Sequence, residues 1–171
     1  MFLIDDATSM APHWNDVIKV VEVLSYIVKE ADPDGLDLYF TVSTKTLRHR
    51  KKTTSLDNMV KERTGQLKGL TDMNLKLCAI LDQYQQEHMT HTGIFTLKKP
   101  KPILPLNLYI LTDGVWETVC HAEGPIKNQV NKMVEHNRNR SHVGIQFISF
   151  GNDPVGIQRM DYLDSGLDLE L

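Results

Sequence analysis

Most of the familiar catalytic signatures are missing from this chain of 171 residues. It has no Gly-x-x-x-x-Gly-Lys-Ser/Thr loop and no Gly-x-Gly-x-x-Gly turn, so neither phosphate-cradling arrangement is encoded. A Gly-x-Ser-x-Gly nucleophile elbow is absent too. The only cysteines are Cys78 and Cys120, which make neither a metal-type spacing nor a disulfide framework. No apolar run approaches the roughly 20 residues that a membrane helix needs, and no basic-then-apolar leader precedes Phe2. These absences lead to the expectation of a reduced, cytoplasmic protein with no membrane partner. The net charge of −3 argues against general nucleic-acid binding. What remains is ordinary globular composition, 41% hydrophobic and 24% charged, of a length that suits one domain over residues 1–171.

Strand and helix patterns alternate along the chain. Phe2 to Ile4 reads as a short apolar strand. From Trp14 to Glu30, Val17, Val20, Val21, Leu24, Ile27 and Val28 mark one face of a helix. Pro33, Asp34 and Gly35 suggest a turn before a strand over Leu36 to Val42, and Ser43 to Lys45 a hairpin into a polar strand near Leu47 to Thr53. Ser55 is the expected cap of a helix reaching about Arg63, followed by a loop over Thr64 to Leu70. Thr71 or Asp72 should cap a helix to about His88, with Leu75, Cys78, Leu81 and Tyr84 facing the core. Thr90 to Pro105, with three prolines, reads as a surface loop. Leu106 to Leu111 and His142 to Phe150 read as buried strands. Between them, Pro125 to Asn137 suggests a helix using Ile126, Val130, Met133 and Val134. Asn152, Asp153 and Pro154 open the last helix, with proline at its first position.

This alternation predicts a three-layer, Rossmann-like α/β fold. The sheet should be mostly parallel with one antiparallel edge strand, and helices should cover both faces. Ligands of such sheets bind outside the carboxyl ends of the strands. There the chain places MFLIDDATSM, where an apolar strand runs into Asp5 and Asp6. Adjacent carboxylates beside an apolar core need compensation, and a cation is the first candidate. Asp5 to Ser9, Thr71 with Asp72, and Asp113 can converge at that edge. They offer carboxylate and hydroxyl oxygens, the hard ligands that suit Mg²⁺, Mn²⁺ or Ca²⁺.

FLIDDATSM, GLTDMNL and LYILTDGVW, in that order and spacing, resemble a von Willebrand factor A (vWA) domain. FISFGNDPVGIQRMDYLDSGLD resembles the last strand and helix of fungal members of that family. The resemblance implies a metal-ion-dependent adhesion site (MIDAS) with Asp5, Ser9, Thr71 and Asp113 as its metal set. It also implies that the hydroxyls bind the ion directly, that the aspartates often act through water, and that a protein partner's acidic side chain completes the shell. Ala7 stands where the family has its first serine, so a weakened site is expected. Asp6, Thr8, Asp72, Gly114 and Trp116 are the expected ligand-binding surroundings, although Asp6 should point away if Asp5 points in.

Plainer readings stand beside these. Asp5 with Ser9 can be a helix cap and turn, Thr71 a cap, and Asp113-Gly114 a simple turn. The basic run Lys45 to Thr54 reads as a polar edge strand whose charges block edge pairing, with no aromatic platform for nucleic acid. His88 and His91 lack a third ligand and read as a solvated helix end. A receiver-domain reading fails because no late lysine follows Phe150-Gly151. A haloacid-dehalogenase phosphatase reading fails because Ala7 replaces its second aspartate. A non-enzymatic interaction domain is therefore expected, with a metal-independent scaffold or a Mg²⁺-dependent phosphotransfer enzyme as alternatives.

Overall fold

A computed structural model describes residues 1–32, 34–88 and 104–167, with the side chains of His88 and Arg140 excepted. The five strands are β1 (Phe2–Ile4), β2 (Leu36–Phe40), β3 (Thr46–Arg50), β4 (Leu106–Thr112) and β5 (Val143–Ser149). Their order across the sheet is β3-β2-β1-β4-β5. Only β3 runs antiparallel, pairing with β2 at the edge. The fold is thus the expected α/β, Rossmann-like arrangement. β1 is only three residues long yet fully buried, and it hydrogen-bonds on both sides, to β2 and to β4.

Alternation along β1 splits the core in two, because successive side chains in a strand point to opposite faces. Phe2 and Ile4 join Trp14, Val17 and Val21 of α1 (Trp14–Val28) and Leu56 and Val60 of α2 (Thr53–Glu62). Leu3 points the other way, into Met73, Leu77 and Leu81 of α3 (Met73–His88) and Met133 of α4 (Glu123–Glu135). Met160 and Leu163 of α5 (Pro154–Ser165) pack on that second face. Among the described residues, no helix is long and apolar enough to cross a membrane.

Several local expectations need correction. α2 begins at Thr53, two residues before Ser55, and its N-cap position, Lys52, makes no side-chain capping bond. The buried stripe of α3 is Met73, Leu77, Ile80, Leu81 and Tyr84, while Leu75 is 62% exposed. Both stripes fit a helical period, and docking against Leu3 selects one. In α1, Ile27 faces solvent; in α4, Val134 does so and Gln129 is buried instead. β5 is no doubly buried strand: among the described residues it is the last strand of the sheet, and most of its residues are only half-buried. The expected turn residue Pro33, most of the Thr90 to Pro105 loop, and His91 lie outside the described residues.

One close approach positions the upper edge of β4. Gly114, at φ +77°, and Gly156, in the first turn of α5, pack backbone to backbone. A Cβ on Gly156 would stand 2.0 Å from the Asp113 carbonyl oxygen. Gly156→Ala should therefore cost about 3 kcal/mol, since backbone must shift to admit the methyl. Gly124→Ala in α4, whose Cβ would meet only Asn74 Oδ1 at 4.0 Å, should gain up to about 1 kcal/mol through helix propensity. Urea denaturation of the two variants checks both signs.

Candidate metal centre

The carboxyl end of β1 delivers Asp5 and Asp6 to the middle of the sheet, where both are fully buried. Their side chains are stabilised in opposite ways. Asp6 Oδ2 accepts from the Arg63 guanidinium at 2.5 Å, and its Oδ1 accepts the Val42 backbone N–H at 2.8 Å. Arg63 is itself buried and lies over the Phe40 ring. Asp6 thus forms an ion pair beneath the loop that follows β2, and Thr41 Oγ1 lies near both carboxylates, 3.3 Å from Asp5 Oδ1 and 3.4 Å from Asp6 Oδ1.

Asp5 has only neutral partners. Its Oδ1 accepts from the Thr71 hydroxyl and from the Ala7 backbone N–H at 3.1 Å. Its Oδ2 accepts from the Thr112 hydroxyl at 2.7 Å. Thr41 Oγ1 lies 2.9 Å from Thr71 Oγ1. Each hydroxyl has one proton, so with Thr71 donating to Asp5, Thr41 donates to Thr71 and accepts from the Asp6 backbone N–H. Burial pushes the Asp5 carboxyl above its ordinary range, the charge of Asp113 adds to this, and the hydroxyl and backbone donors pull it back.

Asp5, Thr71 and Thr112 therefore form one buried network, with Asp113 next in the chain to Thr112. Asp113 is buried, and its Oδ1 accepts the Val115 N–H at 2.9 Å. Ser9 sits in the 3₁₀ segment Thr8–His13 that follows β1. Its hydroxyl oxygen is buried and has no hydrogen-bond partner. It does not cap the segment, whose N-cap position, Ala7, has no side-chain bond. A buried orphan hydroxyl costs on the order of 1–3 kcal/mol, and Arg63 Nε at the same edge is also buried without a partner. The Ala7 methyl, two residues earlier, is fully buried.

The surrounding residues divide. Thr8 is exposed and tied through its backbone N–H to the Gly69 carbonyl at 3.2 Å. Asp72 caps α3 by accepting from the Leu75 N–H at 2.9 Å, which leaves Thr71 free of that role. The Gly114 carbonyl accepts from Arg159 of α5. Trp116 is buried, donates from its indole N–H to Thr112 Oγ1 at 2.8 Å, and lies under the Arg159 guanidinium. Its place is beneath the edge, not at an open rim.

No protein-family model and no curated protein matches this chain. Its site must be read from geometry. Among the described residues, no group of three or more His, Cys, Asp or Glu side chains is placed to hold a metal ion. A cation here would depend on hydroxyls and water. The donor set fits a hard cation in that limited sense, with Ser9 Oγ as the unpartnered oxygen.

Sequence reasoning missed Thr41, Thr112, Arg63 and Arg159. Thr112 was within reach, since it directly precedes Asp113. Arg63 carried no signal, because it meets Asp6 from 57 residues away.

Two outcomes follow. Arg63→Ala should destabilise the fold by about 3–5 kcal/mol in urea denaturation, because it strands a buried carboxylate. A carboxyl raised in the folded state contributes stability that is full below its unfolded pKa and lost as pH rises through the folded value. NMR titration of the Asp5 carboxyl carbon should give a midpoint above the ordinary aspartate range. A midpoint below it would mean that the donors outweigh burial.

Proposed function

We propose that this chain is a vWA-type, non-enzymatic interaction domain that binds a protein partner's acidic side chain through a divalent ion, Mg²⁺ by preference. The observation that carries the reading is the buried, unpartnered Ser9 hydroxyl at the carboxyl end of β1. Support comes from the convergence of Asp5, Thr71 and Thr112, followed by Asp113, from three separate segments on that edge. Ser9 and Thr71 would hold the ion directly, and Asp5 and Asp113 through water, as the vWA resemblance implies. When bound, the ion supplies an open coordination position for a carboxylate. Among the described residues no membrane-crossing helix argues for a bilayer partner. The free thiols Cys78 and Cys120 suit a cytoplasmic setting.

A second reading has its own support. Thr71 already donates to Asp5, so these two groups satisfy one another without an ion, and Ala7 brings a methyl where a hydroxyl belongs. The chain would then be a metal-independent scaffold that keeps the loop geometry alone.

Isothermal titration with Mg²⁺ and Mn²⁺ separates the two readings. Saturable binding, lost in Ser9→Ala and tightened about tenfold in Ala7→Ser, supports the metal-dependent domain. Binding that appears only in Ala7→Ser supports the scaffold. No binding in any form overturns the metal reading.

A further inference from the structure

The sequence places Trp116 among the groups that meet a ligand, yet its side chain is buried beneath the edge. Its indole is held on two sides. The Arg159 guanidinium lies 4.8 Å from the ring centroid, and the Phe147 ring of β5 packs at 6.3 Å. An indole fixed in this way has one polar atom to offer, and that atom can only donate. Its N–H points to Thr112 Oγ1, 2.8 Å away.

Thr112 collects a second donor, because the Gly114 backbone N–H reaches the same oxygen at 3.1 Å. A hydroxyl has two lone pairs and one proton. The two N–H groups fill both lone pairs, so the Thr112 proton is left with one acceptor, Asp5 Oδ2 at 2.7 Å. Thr71, the other hydroxyl on Asp5, is placed differently. It donates to Asp5 Oδ1 and accepts from Thr41. Among the described residues, no polar contact claims its second lone pair. Thr112 is therefore saturated and cannot ligate, while Thr71 keeps a lone pair for a ligand. Thr41 cannot take the place of Thr112. Its single proton has three acceptors in reach, Thr71 Oγ1 at 2.9 Å, Asp5 Oδ1 at 3.3 Å and Asp6 Oδ1 at 3.4 Å.

We propose that Thr112, its proton steered by Trp116 and Gly114, is the positioning residue that aims the Asp5 carboxylate at the divalent ion. This role presupposes the metal-dependent reading of the site. Thr112 ends β4, and its carbonyl accepts the Phe150 N–H at 3.0 Å, so its backbone is part of the sheet. A group so anchored holds a carboxylate in one orientation. Loss of such a group behind a metal ligand weakens metal affinity by about 10–100-fold.

Three variants and two readouts test the role on the 171-residue chain. In the absence of added ion, NMR follows the Trp116 indole N–H and the Asp5 carboxyl carbon. Calorimetry with Mn²⁺ then gives the affinity. Thr112→Val keeps the shape and removes the hydroxyl. Both resonances should move, and Mn²⁺ binding should weaken about tenfold or more. Thr112→Ser returns the hydroxyl and should restore both resonances and the affinity. Trp116→Phe leaves Thr112 in place but frees its proton. It should shift the Asp5 resonance and weaken binding by a smaller factor. A merely structural role would lower the urea midpoint of Thr112→Val and leave the affinity of the folded protein unchanged. That result overturns the proposal, as does an Asp5 resonance that does not move. If Thr112→Val does not fold, Trp116→Phe decides by the same two readouts. Binding by the unsubstituted chain that all three variants share equally removes the role of Thr112 and leaves the metal reading standing. No Mn²⁺ binding by the unsubstituted chain overturns the metal reading, and the role of Thr112 at the ion falls with it.

Discussion

Two neighbouring carboxylates, both buried at the end of a three-residue strand, are the constraint around which this protein is arranged. The Thr41 hydroxyl lies within reach of both, 3.3 Å from Asp5 Oδ1 and 3.4 Å from Asp6 Oδ1, but it is neutral and offsets neither charge. Asp6 takes a buried cation, Arg63, with backbone N–H groups completing its shell. Asp5 takes a ring of neutral hydroxyls from Thr71 and Thr112, with Thr41 behind them. The first solution locks the loops together. The second leaves a carboxyl whose charge is poorly compensated and whose proton is held more tightly than usual.

This division links the core to the candidate site. Arg63 also reaches the Gln66 carbonyl at 3.2 Å, so the ion pair anchors the start of the segment that leads to Thr71. On the other side, the Glu117 N–H donates to the Thr71 carbonyl at 3.0 Å. The loop after β4 and the start of α3 therefore hold one another. Gly114 and Gly156 allow α5 to press directly on the Asp113 turn. The hydroxyls and carboxylates at this edge are thus fixed by packing on both layers.

The Ser9 hydroxyl is the exception to this satisfaction. Every other site oxygen named here has a donor or acceptor, while Ser9 Oγ is buried with none. Among the nitrogens, Arg63 Nε of the same site is likewise buried without an acceptor.

The sequence by itself determined the alternation of elements, the position of β1 and β4, and the acidic end of each. Apolar runs and their terminators are local features, and they were legible. Boundaries such as the start of α2 were less legible, because Lys52 caps without any side-chain signature. Tertiary structure decided which stripe of α3 was buried, since Leu75 and Met73 both fit a helical period and only docking on Leu3 distinguishes them. It decided that β5 stands last in the order of the described strands, because strand order depends on all connections together. It also chose Arg63 as the partner of Asp6 and Thr41 as the support of Thr71. Those pairings join residues far apart in the chain, and no local pattern records them.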